Sequence, residues 1–113
     1  MSPPRLTAGF WVAAYLRRLD LAGIPAFVTA RGDETAGAVA VKVATLDGHA
    51  RAYSRRWDLA SDARRWEVLA DGPEREVDAL LSRERQRDPD LWLIEIEDRA
   101  GRSLLEEDGL SEG

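Results

Sequence analysis

The feature that most constrains the fold is a change in the spacing of apolar residues at Gly23 and Pro25. Before it, Thr7 can cap a helix from about Ala8 to Ala22, in which apolar residues recur every three or four positions. Gly23 can adopt the left-handed conformation that ends a helix, and Pro25 prevents the helix from continuing. After it, apolar residues alternate with others, which is typical of strands. We therefore predict an amphipathic helix followed by a sheet.

Four strands are predicted next, at residues 25–31, 38–44, 49–57 and 64–70. In the second of them, valines at 39, 41 and 43 project to one side, and Ala38, Ala40, Lys42 and Ala44 project to the other. Asp47–Gly48 is a two-residue turn signal that pairs Leu46 with His49 in a hairpin. The stretch "RGDETAG" before the second strand is predicted to form the corner between the first two strands.

A second helix and a last strand complete the pattern. Pro73 suits the first turn of this helix, and Asp88–Pro89 ends it. The strand Leu91–Asp98 points Trp92, Ile94 and Ile96 inward. The order is then α-β-β-β-β-α-β, which predicts an α+β domain with a mainly antiparallel sheet of about five strands and two helices on one face. We predict one domain at 1–105 and an acidic, disordered tail at 106–113.

Composition excludes several kinds of chemistry. The chain has no cysteine, which rules out disulfides, thiolate nucleophiles and cysteine-bound metal centres. The net charge of −5 argues against a dedicated nucleic-acid binder, because phosphate contacts need a basic surface. Arg17, Arg18 and Asp20 interrupt the first apolar run too early for a membrane span, so we expect a cytoplasmic protein without membrane contact. Fifteen of the sixteen basic residues are arginine and one is lysine, a bias that we attribute to genomic base composition.

The candidate interaction or anion-binding residues are arginines and aromatic residues of the third and fourth strands. Guanidinium groups and aromatic rings on a sheet can hold phosphate and stack on bases. Long arginine side chains also commonly cover a sheet surface while their charged ends stay in water, so both interpretations remain open. The candidates are Arg51, Tyr53, Arg55, Arg56, Trp57, Arg64, Arg65 and Trp66.

Carboxylates offer a second hypothesis. Asp33 and Glu34, or the acids of the 88–98 segment, could serve a metal-dependent hydrolase or nuclease if they converged on one ion. Arg31, Asp33 and Glu34 form a candidate loop site, although local pairing of Arg31 with either acid would explain them equally well. We predict no metal site and no cofactor. We also predict no catalytic residue, because the single histidine, His49, stands at a hairpin turn.

Four blocks of the chain resemble, in order, those of a bacterial family of small proteins, the domain of unknown function 1491 family. They are "FWVAAYLRR" (Phe10–Arg18), "RGDETAGAVAVKV" (Arg31–Val43), "LDG" (Leu46–Gly48) and "DPDLWLIEIEDRAGR" (Asp88–Arg102). The resemblance spans about Arg5 to Leu105 and implies a single-domain bacterial protein. It supplies no activity, cofactor, partner or site residue.

The leading hypothesis is therefore a small, non-catalytic interaction or regulatory module of the bacterial cytoplasm. Its partner is an unknown protein or a second copy of the chain, bound through a sheet edge or through the region of Trp57 and Trp66. One alternative is the metal-dependent hydrolase or nuclease. The other is binding of an anion or a nucleic acid through the arginine-rich strand. The negative net charge disfavours nucleic acid as that ligand.

Overall fold

The structure, a computed structural model, describes residues 7–58 and 63–107, and in that part of the chain it contains two helices and five strands. The helices are α1 (Ala8–Leu21) and α2 (Glu74–Arg87). The strands are β1 (Ala26–Ala30), β2 (Val39–Ala44), β3 (His49–Asp58), β4 (Ala63–Pro73) and β5 (Trp92–Glu97). Their order along the chain is the predicted one. No helix among these residues is long and apolar enough to cross a membrane.

The strands form one mixed sheet in the order β1-β5-β2-β3-β4. Only the β2–β5 pair is parallel within the described sheet, so the predicted, mainly antiparallel α+β domain is confirmed. β5 inserts between β1 and β2. The loop from Arg31 to Ala38 therefore joins strands that are not neighbours, and it forms no hairpin corner.

The helices cover opposite faces of the sheet, which corrects the prediction that both cover one face. Beneath α1 the sheet presents branched side chains, namely Val39, Val41, Val43, Ile94 and Ile96. On the other face, Val77 and Leu81 of α2 pack against the small residues Ala40, Ala50 and Ala52. β2 is therefore buried on both sides. The alternating pattern of the strands predicted that one face of the sheet is solvated. That face instead carries small alanines, which allow α2 to approach the sheet closely.

Local signals at the ends of α1 are confirmed, whereas Pro73, predicted for the first turn of α2, precedes that helix as its N-cap residue at the end of β4. The Thr7 hydroxyl accepts a hydrogen bond from the Phe10 N–H group at 3.2 Å and caps α1. Gly23, with a φ of +74°, follows the end of that helix. The predicted two-residue turn is wrong in length, because Ala44 pairs with Ala50 and the Thr45 N–H group bonds to the His49 carbonyl. Three residues separate this last pair, and Gly48 adopts a φ of +90°.

The segment after β5 returns to α1. The Tyr15 hydroxyl donates to the Ser103 carbonyl at 2.7 Å, and Leu105 is buried in the α1 core. Burial, with a smaller contribution from the charge of Tyr53, raises the pKa of Tyr15. In the predicted acidic tail, Glu107 lies 3.4 Å from Arg18, and residues 108–113 lie outside the described residues. The domain boundary at 105 stays a prediction.

Candidate binding groove

The candidate loop residues Arg31, Asp33 and Glu34 are held by contacts within the fold. The Asp33 carboxylate accepts hydrogen bonds from the N–H groups two and three residues further on, at 3.2 and 2.8 Å. The main-chain carbonyl of Asp33 accepts a hydrogen bond from the Trp92 indole N–H group at 2.8 Å. Arg31 and Glu34, both well exposed, pair with each other at 2.5 Å. Among the contacts that the structure describes, their side chains meet no charged group of the 88–98 segment.

The same loop caps α1. The N–H groups of Ala8 and Gly9, which have no partner within the first turn of a helix, donate to the carbonyls of Thr35 and Glu34 at 3.1 and 2.8 Å. Main-chain groups of the loop therefore complete the first turn of the helix and join the loop to α1.

Two glycines allow this loop to lie against the start of β5. A Cβ atom at Gly32 or Gly37 would collide with the carbonyl of Asp90. The Asp90 carbonyl accepts a hydrogen bond from the Asp33 N–H group at 3.0 Å, so the loop and the start of β5 are also hydrogen-bonded where they approach. The geometry gives the candidate loop residues a structural role.

The arginine and aromatic candidates whose side chains the structure describes do not form one open surface. The structure describes the side chains of Arg51, Tyr53, Arg55, Arg65 and Trp66, whereas those of Arg56, Trp57 and Arg64 fall outside the described part. Arg51 forms an ion pair with Asp71 at 2.8 Å. The Arg55 guanidinium lies over the rings of Trp11 and Trp66, 5.4 and 5.8 Å from their centres. Trp66 itself packs against Trp11 and is half-buried. Anion or nucleic-acid binding is not supported by this arrangement.

His49 shares the Asp71 carboxylate with Arg51. The His49 Nε2 atom lies 2.5 Å from Asp71 Oδ1, and Arg51 Nε donates to Oδ2 at 3.0 Å. Hydrogen bonds from Arg51 and then from His49 lower the pKa of Asp71. The three side chains are partly exposed and form a hydrogen-bonded cluster near the β2–β3 turn.

Two acids of the 88–98 segment, Asp88 and Asp98, have separate partners. The Asp88 carboxylate accepts from the Asp90 N–H group at 3.0 Å, and Asp98 pairs with Arg102 at 2.9 Å. Across residues 7–58 and 63–107, no group of three or more histidine, aspartate or glutamate side chains is arranged to hold a metal ion. The hypothesis of a metal-dependent hydrolase or nuclease is therefore not supported.

One ionic cluster was missing from the sequence prediction. Lys42 lies on β2 beneath α2, and its side chain is only 6% exposed. Its ammonium nitrogen contacts Asp78 at 2.6 Å, Glu74 at 2.7 Å and Glu95 at 3.1 Å. Glu74 and Asp78 come from α2, and Glu95 comes from β5. We call these four residues the Lys42 cluster.

The surroundings of Lys42 keep it charged. Burial alone would lower its pKa, but hydrogen bonds to Asp78, Glu74 and Glu95 outweigh burial and raise the pKa above the usual value for lysine. The amine is therefore protonated near neutral pH, and a protonated amine is neither a nucleophile nor a base. The one available signal in the sequence was that Lys42 is the only lysine among sixteen basic residues.

A groove of about 570 Å³ opens beside the Lys42 cluster, because α2 leaves β1 and part of β5 uncovered. Thr29, Ala40 and Leu93 line its floor, and Leu81, Ser82 and Arg85 line the wall formed by α2. Asp78 and Glu95 lie at one end. Arg85 lies about 10 Å further along the helix, where it donates to the Arg31 carbonyl at 2.9 Å. We call this site the α2 groove.

β1 borders the α2 groove and ends the sheet on that side. Its residues Ala26–Ala30 carry no charge, whereas the other terminal strand, β4, contains two arginines, a glutamate and an aspartate. Phe27 is 51% exposed and Val28 is 36% exposed. Terminal strands usually carry charges that prevent pairing with other chains. By this criterion β1 is the less protected edge, although its register shifts between Val28 and Ala30.

Comparison with known proteins places this geometry in a family. The model of a family described as "Protein of unknown function (DUF1491)" matches residues 6–106. The crystal structure of a DUF1491 family protein from Caulobacter crescentus CB15 is 41% identical, covers 91% of this chain and 97% of that chain, and has a TM-score of 0.83. An NMR structure of a DUF1491 family protein from the same organism is 40% identical, with coverages of 93% and 96% and a TM-score of 0.81.

A further relative is protein Atu0922 from A. tumefaciens. Its solution structure is 38% identical, covers 83% of this chain and 86% of that chain, and has a TM-score of 0.70. No curated protein matches the sequence. The resemblance carried by the four sequence blocks is confirmed, and the sources of these relatives are consistent with a bacterial origin.

Proposed function

Because the chain belongs to the DUF1491 family of proteins of unknown function, its own geometry must indicate its role, and we propose that it is a non-catalytic interaction module. It binds an extended segment of a partner protein as an additional strand along β1, with side chains of that segment in the α2 groove. The observation that carries this proposal is an uncharged terminal strand that borders an open groove.

The hydrogen-bonding direction of β1 supports strand addition. The Pro25 carbonyl accepts from the Glu97 N–H group at 3.0 Å, so residue 25 faces β5. In an antiparallel pair, successive residues face alternately toward and away from the neighbouring strand. The main-chain N–H and C=O groups of Ala26 and Val28 are therefore directed away from the sheet. An extended peptide can use such groups for affinity and adjacent pockets for specificity.

The chemistry of the groove also favours binding over catalysis. Lys42 is held protonated by three carboxylates, and Thr29 donates its hydroxyl to the Leu93 carbonyl at 3.3 Å. Activated nucleophiles need a neighbouring base or a lowered pKa, and Lys42 has the opposite shift. We retain the bacterial cytoplasm as the proposed location. The region of Trp57 and Trp66 stays a second predicted surface, of which only the Trp66 side chain is described, packed on α1.

Selection of displayed random heptapeptides on the immobilised protein tests this function. The decisive variant is Val28→Pro, which removes an outward-facing N–H group and leaves the β1–β5 hydrogen bonds intact. The matched control is Val28→Thr, which keeps that N–H group and has a similar shape. Thermal unfolding of both variants establishes that they fold.

We expect peptides selected on the wild type to bind Val28→Thr with little change and to lose at least tenfold in affinity for Val28→Pro. A Ser82→Trp substitution, which fills the α2 groove from an exposed helix position, should weaken the same peptides. Peptides that bind all three variants equally would refute binding at β1.

A further inference from the structure

We propose that the segment bound at β1 is basic, with an arginine or a lysine at the position opposite Phe27. This inference rests on the binding function proposed above and specifies its partner. It comes from the position of the Lys42 cluster relative to the edge of the sheet.

Lys42, Glu95 and Phe27 form one row across β2, β5 and β1, because Lys42 pairs with Glu95 and Glu95 pairs with Phe27. Residues that pair directly across strands project their side chains to the same face. A strand added beyond β1, at the usual spacing of about 4.8 Å, would continue this row. Its side chain opposite Phe27 would therefore point to the face that carries the α2 groove and the carboxylates.

The charge of the cluster selects a cation at that position. Three carboxylates surround one ammonium group, so two negative charges are in excess, and the whole chain carries −5. Glu95 and Asp78 keep 29% and 53% of their side-chain surface exposed, so their oxygens can accept further hydrogen bonds. The exposed ring of Phe27 lies between the added strand and Glu95, and an aromatic face attracts guanidinium and ammonium groups.

Residues Ala26–Ala30 do not supply such a cation. Arg31, which follows them, already pairs with Glu34, so pairing of β1 with β1 of a second copy would leave the acidic end of the groove without a cation. Arg85 stands at the opposite end of the groove. Opposite charges at the two ends favour a single basic residue near Phe27 over a uniformly basic segment.

The test uses two blocked heptapeptides of alternating threonine and valine, one with a central arginine and one with a central glutamate. Both are titrated into the full chain at low ionic strength, and amide shifts are followed by NMR. We expect the arginine peptide to bind about tenfold more tightly, and added salt to reduce the difference. Ser82→Lys, which adds a positive charge in the groove, should weaken the arginine peptide roughly fivefold to tenfold. Ala79→Lys adds the same charge on an exposed part of α2 outside the groove and should have little effect.

The possible outcomes separate this inference from the proposed function. Equal binding of both peptides, lost in Val28→Pro, would leave the proposed function standing and overturn the basic specificity. Binding that Val28→Pro does not change would refute both. If neither peptide binds and light scattering shows a dimer that Val28→Pro dissociates, the occupant is a second copy and the basic segment is excluded. If neither peptide binds a monomeric chain, the inference is also wrong.

Discussion

Replacing Lys42 with methionine should destabilise the fold because it leaves three carboxylates around a site that has lost its cation. Removing one partner of a buried ion pair costs roughly 3–5 kcal/mol. Here the carboxylates of Glu95, Glu74 and Asp78 are 29%, 36% and 53% exposed, and solvent screening reduces the cost to about 2–4 kcal/mol. For a chain of this length, that corresponds to a fall in Tm of roughly 8–16 °C.

The free energy of unfolding is measured in urea, with tryptophan fluorescence as the signal. Because the pKa of Lys42 is raised, its stabilisation is complete below the unfolded-state pKa and is lost only as the pH rises through the folded-state pKa. The difference between wild type and variant should therefore be constant from neutral pH to about pH 9.

Two controls decide whether the carboxylates cause the loss. Combining Lys42→Met with Glu74→Gln, Asp78→Asn and Glu95→Gln removes the repulsion and should restore more than half of the lost stability. Arg83→Met, at an exposed position of α2, should change the free energy of unfolding by no more than about 0.5 kcal/mol. A single Lys42→Met variant as stable as the wild type would refute the assigned role of the cluster.

Three other results are expected. Gly32→Ala should lower the free energy of unfolding in urea by about 1–3 kcal/mol, because the added Cβ atom meets the Asp90 carbonyl. Gly72→Ala, whose Cβ atom would meet nothing closer than 3.9 Å, should be nearly neutral. Equal effects of the two substitutions would contradict the close approach of Gly32 to Asp90. A hydrogen bond from Arg102 is the main cause of the lowered pKa of Asp98, so Asp98→Asn should destabilise the fold at pH 7. The difference in the free energy of unfolding between variant and wild type should vanish as the pH falls below the folded-state pKa. A difference that does not depend on pH would show that the Asp98 charge does not cause the loss. Tyr15→Phe should cost about 1–2 kcal/mol and speed amide exchange in residues 103–105, and unchanged exchange there would show that its hydroxyl does not hold the segment.

Much of the fold followed from local signals. The Thr7 cap, Gly23 and Pro25 defined α1, because capping and chain termination depend on residues only a few positions apart. The alternation in β5 also identified its buried face correctly. Helix placement was predicted wrongly, because Ala40, Ala50 and Ala52 have side chains too small to mark a buried face by periodicity alone.

The candidate site was much harder to predict. Lys42 meets partners that lie 32, 36 and 53 positions away in the sequence, and no local pattern links them. The acids of residues 88–98 are close in sequence, but Asp88 and Asp98 bind near neighbours, whereas Glu95 binds Lys42. Register, which depends on how β5 inserts beside β2, brought Glu95 to Lys42.

The most direct measurement of binding at β1 is a set of NOEs between the labelled chain and the heptapeptide with the central arginine. Strand addition predicts contacts from peptide main-chain protons to the amides of Ala26 and Val28, and from the arginine side chain to the ring of Phe27. Contacts confined to β3 and β4, with none at β1, would contradict it.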